Sequence, residues 1–202
     1  MLKASGAKLF PWKNWDEWYQ VVDHLFQGDL SQVLESLQIV SHWRQKMAIP
    51  VAVDSGAQLV ELCWKQDSIT EPIFSLALAC AIVRLVNGMV DNMQESSYAV
   101  SVTGLASQLG LPVFVAEMRH DISHNALPSR EALLFATKEC LQWLKKHYFF
   151  AQWEQLVPIN HNILSYLQLY EDSSKQVWIL MTKIVFLIVF LRMVVPKKGN
   201  AH

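Results

Sequence analysis

Polar residues that start helices recur along this chain at short intervals, and they constrain it to an all-α fold. Asn14 followed by Glu17 has the spacing of an N-cap with a reciprocal carboxylate, which satisfies amide groups a helix leaves open at its start. It predicts a helix to about Gln27, with Trp15, Trp18, Tyr19, Val22 and Phe26 on the apolar face. Asp29 with Gln32 repeats the signal and opens a helix through Val33, Leu37, Val40 and Trp43. Ser55-Gly56-Ala57-Gln58 reads as a third such start, carrying Leu59, Val60 and Leu62.

Thr70-Glu71-Pro72 starts the longest predicted element, because a first-turn proline gives up an N–H that has no partner there. Phe74, Leu78, Ala81, Ile82, Leu85, Val86 and Met89 form its buried stripe, while Arg84, Asn87 and Asp91 fall along another face. Thr103 to Leu109 is a short helix stopped by Gly110, and Pro112 begins the next, which Pro128 halts. Ser129 then caps a helix from Glu131 to Tyr148. Residues 151 to 175 read as a looser helical continuation ending at Glu171-Asp172-Ser173-Ser174. No segment alternates with a period of two around Asn-Gly or Asp-Gly turns, and no unit of about 20–50 residues repeats.

A hydrophobic content of 52% supports a sizeable core, and 202 residues fit one domain of about 150 residues with a tail. The formal charge of −1 excludes a polycation, so any contact with nucleic acid must rest on a few local side chains. Cys63, Cys80 and Cys140 form no CxxC pair and are expected as small buried hydrophobes in a reducing compartment. The opening residues contain no apolar run of the secretory kind. Most of the eight tryptophans fall at helical spacing and are expected in the core.

The segment Val177 to Val195 carries the run Ile184 to Leu191 and approaches the about 20 residues that cross a bilayer, though Lys183 and Arg192 interrupt it. Three readings stand for it: a membrane span, a buried or partner-binding helix, and a divergent terminus.

The chemistry concentrates in Arg119-His120-Asp121-Ile122-Ser123-His124. On a helix His120 and His124 share a face, with Arg119 one step round. Pro128 sets His124 near the helix C-terminus, where the macrodipole favours positive charge. RNA cleavage by internal transfer needs a base for the 2′-OH, an acid for the departing 5′-oxygen and positive charge on the phosphorane. Two histidines and an arginine cover that list. The same spacing also fits a structural helix end, or a zinc half-site without its third ligand, and spacing alone leaves all three open.

A longer set of residues narrows the choice. Gly110-Leu111-Pro112, Glu117-Met118-Arg119-His120, His124 and Leu127-Pro128-Ser129 resemble the Las-one family of pre-ribosomal RNA endoribonucleases, within the HEPN superfamily. The HEPN signature is an arginine, usually a polar residue, three variable residues and a histidine. Trp43-Arg44, Ile49-Pro50-Val51-Ala52-Val53, Arg84-Leu85-Val86-Asn87 and Cys140-Leu141-Gln142-Trp143-Leu144 agree with it.

The resemblance implies a HEPN-type helical bundle over residues 12–153, followed by a helical extension and apolar tail over 154–202. It implies a homodimer that joins two motifs in one composite site, with Arg119, His120 and His124 catalytic. His124 would be a general acid or base, Arg119 the phosphate clamp, and His120 a second proton-transfer or positioning group. Neither cofactor nor metal is called for. The implied activity is cleavage of the second internal transcribed spacer of precursor ribosomal RNA, leaving 2′,3′-cyclic phosphate and 5′-hydroxyl ends. A partner polynucleotide kinase would then phosphorylate the hydroxyl, and the setting would be the nucleus, in the nucleolus.

Family members are generally longer, and the kinase-binding region is expected to be absent from this chain. The alternative function is a non-catalytic helical dimerisation or scaffold module that regulates the full-length enzyme. Arg84 and Asn87 are read either as structural helix residues or as support for the motif, through Glu117.

Overall fold

The computed structural model describes residues 10–91 and 101–194, and the side chains at 160–161 and from 186 onward lie outside that description. All regular elements among the described residues are helical, as the helix-start signals predict. They are α1 (Trp15–Gln27), α2 (Leu30–Lys46), α3 (Val51–Trp64), α4 (Ile73–Asp91), α5 (Val102–Gln108), α6 (Val113–His124), α7 (Arg130–Leu144), a π-helical segment (Lys145–Phe150) and α8 (Ala151–Val194). The chain divides into two compact units, Met1–Trp153 and Glu154–His202.

In the first unit α1 and α2 begin where their caps predict. The Asn14 side chain accepts from the Glu17 amide at 2.8 Å, and the Glu17 carboxylate closes on the Lys13 amide, one residue before the N-cap. At α2 both halves of the capping box form, Gln32 N to Asp29 Oδ1 and Asp29 N to Gln32 Oε1, each at 2.9 Å.

The buried face of α1 is rotated from the predicted one: Trp18, Val21, Val22 and Leu25 face the core. Tyr19 lies on the rim and packs its ring 4.1 Å from that of Trp153. Trp12 fills the corner, with ring centroids 5.5 Å from Trp43 and 6.3 Å from Trp18. Of the tryptophans, Trp12, Trp18, Trp43 and Trp143 are buried and Trp15 and Trp153 partly so, while Trp64 and Trp178 are exposed.

The third predicted helix start is displaced. Pro50, not Ser55, begins α3, and its carbonyl accepts from the Val53 and Asp54 amides at 3.0 Å each. Ser55, Gly56 and Ala57 are buried inside the helix. Gly56 leaves room for Phe149 and Leu144, since a Cβ there would stand 3.4 Å from Phe149 Cζ, while α3 crosses α4 as the most extensive helix pair of the unit. At Gly88 of α4 a Cβ would stand 2.5 Å from Val51 Cγ1, so this crossing requires glycine.

Helix α4 is the core element. Its predicted stripe is buried except for Met89, which is partly so, and α3, α5, α6 and α7 pack around it. It is the longest helix of the first unit, but α8, with 44 residues, exceeds it. Helix α4 is also apolar and long enough to cross a membrane, yet Phe74, Leu78, Ile82 and Leu85 lie in the core.

The helical run does not stop at Tyr148. Leu144 and Phe149, five residues apart, are both buried, a spacing that a π-helical turn satisfies and an α-helical one does not. The turn carries Phe149 inward to Trp18 and Phe26, at centroid distances of 5.9 and 5.3 Å.

In the second unit the helix continues through Glu171-Asp172-Ser173-Ser174, where an end was expected. The Ser174 hydroxyl donates back to the Glu171 carbonyl at 3.1 Å, and Lys175 pairs with Glu171 at 3.0 Å, so both groups support the helix. The tail Val177 to Val195 is helical to Val194, while residue 195 and the side chains from 186 lie outside the described residues.

The cysteines are free but not uniformly buried: Cys140 is buried, Cys63 partly, and Cys80 exposed. Burial pushes the Cys140 thiol up to about 12 and raises that of Cys63 as well.

Candidate functional site

Helix α6 carries the Arg-His-His motif, and its start is fixed by the turn before it. Gly110 takes a φ of +69°, the left-handed conformation that glycine adopts without strain. The Leu111 amide bonds the Ala106 carbonyl and the Gly110 amide bonds that of Ser107, each at 3.0 Å, which closes α5. Leu111 is buried, and Pro112 stands as the N-cap of α6.

The far end is set by Asn125 rather than Pro128. Asn125 is extended, its amide bonds the Asp121 carbonyl at 2.7 Å, and its side chain donates to Asp121 Oδ1 at 2.9 Å. His124 is therefore the last helical residue, as the dipole argument required. Helix α7 follows at once, its Arg130 held by the Gln66 carbonyl, Glu71 and the Phe74 ring.

Val115 and Ala116 bury α6 against the core, with Met118 and Ile122 partly buried beside them. Arg119 sits at the edge of this face. Its Nε donates to Asn87 Oδ1 of α4 at 2.7 Å, across 32 residues of sequence. His120 and His124 are exposed one turn apart, their ring centroids 4.8 Å from each other. One half-buried, oriented cation and two accessible imidazoles thus stand on a single helix end. Among the described residues, no group of three His, Cys, Asp or Glu is placed to hold a metal ion.

Beside this end lies an open groove of about 630 Å³, lined by α2, α3, α4 and the turn between α2 and α3. Asp54 organises it. Its carboxylate takes Arg44 Nε at 2.6 Å, Arg84 Nη2 at 3.2 Å and Gln58 Nε2 at 3.0 Å. Arg44 and Asp54 are largely covered, whereas the Arg84 side chain is 59% exposed. Asn87 lines the same groove, so one amide borders the groove and holds Arg119.

Of the two polar α4 residues singled out from sequence, Asn87 reaches the motif directly, and Arg84 pairs with Asp54 rather than Glu117. Asp54 is the residue that sequence reasoning missed. It looks like an ordinary first-turn acid, and its cationic partners lie 10 and 30 positions away.

Comparison with known proteins bears on the same part of the chain. The Las1-like family profile matches residues 10–151. The pre-rRNA-processing protein las1 of Schizosaccharomyces pombe is 32% identical over 148 residues, covering 70% of this chain and 31% of that protein. Protein LAS1 of Saccharomyces cerevisiae is 31% identical over 159 residues, with the same two shares. The ribosomal biogenesis protein LAS1L of Mus musculus is 27% identical over 155 residues, 75% of this chain and 20% of that protein. The chain spans less than a third of the length of these curated relatives. The profile match takes in α1 to α7, the groove and the whole Arg-His-His helix end, and by it the chain belongs to the Las1-like family.

Proposed function

We propose that this chain acts in precursor ribosomal RNA processing during ribosome biogenesis, as a metal-independent endoribonuclease whose site is built on Arg119, His120 and His124. The reading rests on one observation above the rest: Arg119 is fixed by Asn87 at 2.7 Å beside two exposed imidazoles on the same helix end. The names of the yeast and mouse relatives, which refer to pre-rRNA processing and ribosome biogenesis, supply the substrate class.

In this reading the RNA supplies its own nucleophile. One imidazole takes the proton of the 2′-OH, and the freed oxygen attacks the adjacent phosphorus. The Arg119 guanidinium holds the charge that gathers on the non-bridging oxygens of the phosphorane. A second imidazole, protonated, gives its proton to the 5′-oxygen as the P–O5′ bond breaks. The products are a 2′,3′-cyclic phosphate and a 5′-hydroxyl. A polynucleotide kinase partner suits that hydroxyl end, and the second internal transcribed spacer is the proposed cleavage region, in the nucleolus.

The placement of both rings on one helix face supports a homodimeric site. In-line displacement puts base and acid on opposite sides of phosphorus, each within hydrogen-bond reach of its own oxygen. His120 and His124 of one chain stand side by side on one helix face, with ring centroids 4.8 Å apart. Two helix ends brought together supply the separation, one histidine from each.

Labelled spacer RNA incubated with the purified chain in excess EDTA tests the reading. Cyclic-phosphate ends are expected from the parent, with a loss of about 100-fold or more in His124→Ala. Equal cleavage by the two proteins would remove His124 from the mechanism. No cleavage by a folded, dimeric parent would favour the regulatory scaffold instead.

A further inference from the structure

We infer that the groove organised by Asp54 is a nucleotide-binding subsite that receives one unpaired nucleotide of the RNA strand next to the scissile phosphate. The inference rests on the nuclease reading for the identity of the strand, and on the groove itself for the nucleotide.

The groove's chemistry is mixed in the way a nucleotide requires. Met47, Ile49 and Val51 give it an apolar wall against which a base face can lie, and the side-chain amides of Gln58 and Asn87 border it as hydrogen-bonding groups for a base edge. Arg44, Arg84, Asp54 and Asp91 cancel in formal charge, so the groove is no phosphate trough and is built to read more than charge. Its volume of about 630 Å³ lies within the range of small-ligand sites, roughly 300–1,000 Å³.

Within the Asp54 cluster the two arginines differ. Arg44 is bound at 2.6 Å and largely covered, so it braces the wall. Arg84 is held at 3.2 Å and mostly exposed, so its guanidinium plane is the one a strand meets, by stacking on a base or by contact with a phosphate.

Position supplies the second argument. Asn87 borders the groove and its Oδ1 holds Arg119, so the groove opens one side chain from the proposed phosphate clamp. A strand whose phosphate lies on Arg119 has a neighbouring nucleotide within reach of the groove. Only an unpaired base can enter it, because a duplex keeps its bases stacked and its edges paired. The subsite therefore selects single-stranded RNA.

The test is equilibrium binding of a labelled single-stranded RNA of spacer sequence to the full chain carrying His124→Ala, so that RNA is not consumed. To this background Arg84→Ala, Ala48→Trp or Lys138→Ala is added. Ala48 lines the groove and is exposed, so an indole there fills the space without removing any bond. Lys138 is exposed on α7 and absent from the groove lining, and it controls for the loss of one positive charge.

Arg84→Ala and Ala48→Trp are each expected to weaken binding about tenfold, with Lys138→Ala within about twofold of the background. Equal affinity across all four proteins overturns the subsite while leaving the nuclease reading intact if the parent cleaves. Groove-dependent binding without cleavage by the parent upholds the subsite and counts against the nuclease. An unchanged preference for the single strand over a duplex of the same sequence in Ala48→Trp, or a groove that binds a peptide segment and no RNA, overturns the subsite.

Discussion

Asn87 sets the orientation of the Arg119 side chain. A bond through Nε fixes the guanidinium plane, and that plane determines how the terminal amino groups approach a phosphate. Asn87→Ala is expected to slow cleavage at saturating RNA by roughly 10–100-fold, with a smaller change in RNA affinity. Asn87→Asp, which keeps an acceptor at the same place, should recover part of the rate. Because the two residues act as one unit, adding Asn87→Ala to Arg119→Ala should cost little more than Arg119→Ala alone. Fully additive losses in single-turnover rates would show that Asn87 acts elsewhere. The helical register of Arg119, His120 and His124 was legible in the sequence, since four-residue spacing on a helix is local geometry. The bond to Asn87 was not: it crosses 32 positions and depends on how α4 and α6 pack.

At the scale of elements, the turn at Gly110 is the most exposed to a single change. A Cβ added there meets no atom within 4 Å, so the cost of Gly110→Ala comes from backbone conformation alone. With φ at +69°, alanine should destabilise the fold by about 1–2 kcal/mol, measurable as a lower denaturant midpoint with an unchanged slope. A loss of spacer cleavage beyond the stability effect would mean that the turn also sets the pitch of α6. Elements whose start is a short-range bargain were readable: Asn14 with Glu17, Asp29 with Gln32, and Ser129 with the Ala132 amide. The start of helix α3 was not legible because Ser55 mimics a cap, whereas residues 55–57 are buried inside the helix, with Gly56 against Phe149 and Leu144. The run from α7 through the π-helical turn into α8 offered no such punctuation. Its one local warning, Pro158, lies within a helix that continues past it.

At the scale of the whole molecule, the question is whether one chain holds a complete site. The formal charge of −1 leaves no broad electrostatic field to gather RNA, so any binding of RNA would come from a few oriented groups. Two copies joined at the α6 ends would double those groups and separate the acid from the base. Mixing two inactive chains distinguishes a shared site from a private one. An Arg119→Ala chain keeps both histidines, and a His124→Ala chain keeps the arginine. A mixed dimer at a shared site therefore still holds one arginine and one copy of His124, and random pairing makes roughly half of the dimers mixed. Cleavage should return on mixing to a sizeable fraction of the parental rate, after enough time for subunits to exchange. If each chain works alone, the mixture stays as inactive as its parts, because neither chain then gains the group it lacks. A mixture that stays inactive although labelled subunits have exchanged would therefore rule out a composite site that needs one Arg119 and one His124. The 4.8 Å between the His120 and His124 rings would then have to serve base and acid within one helix end.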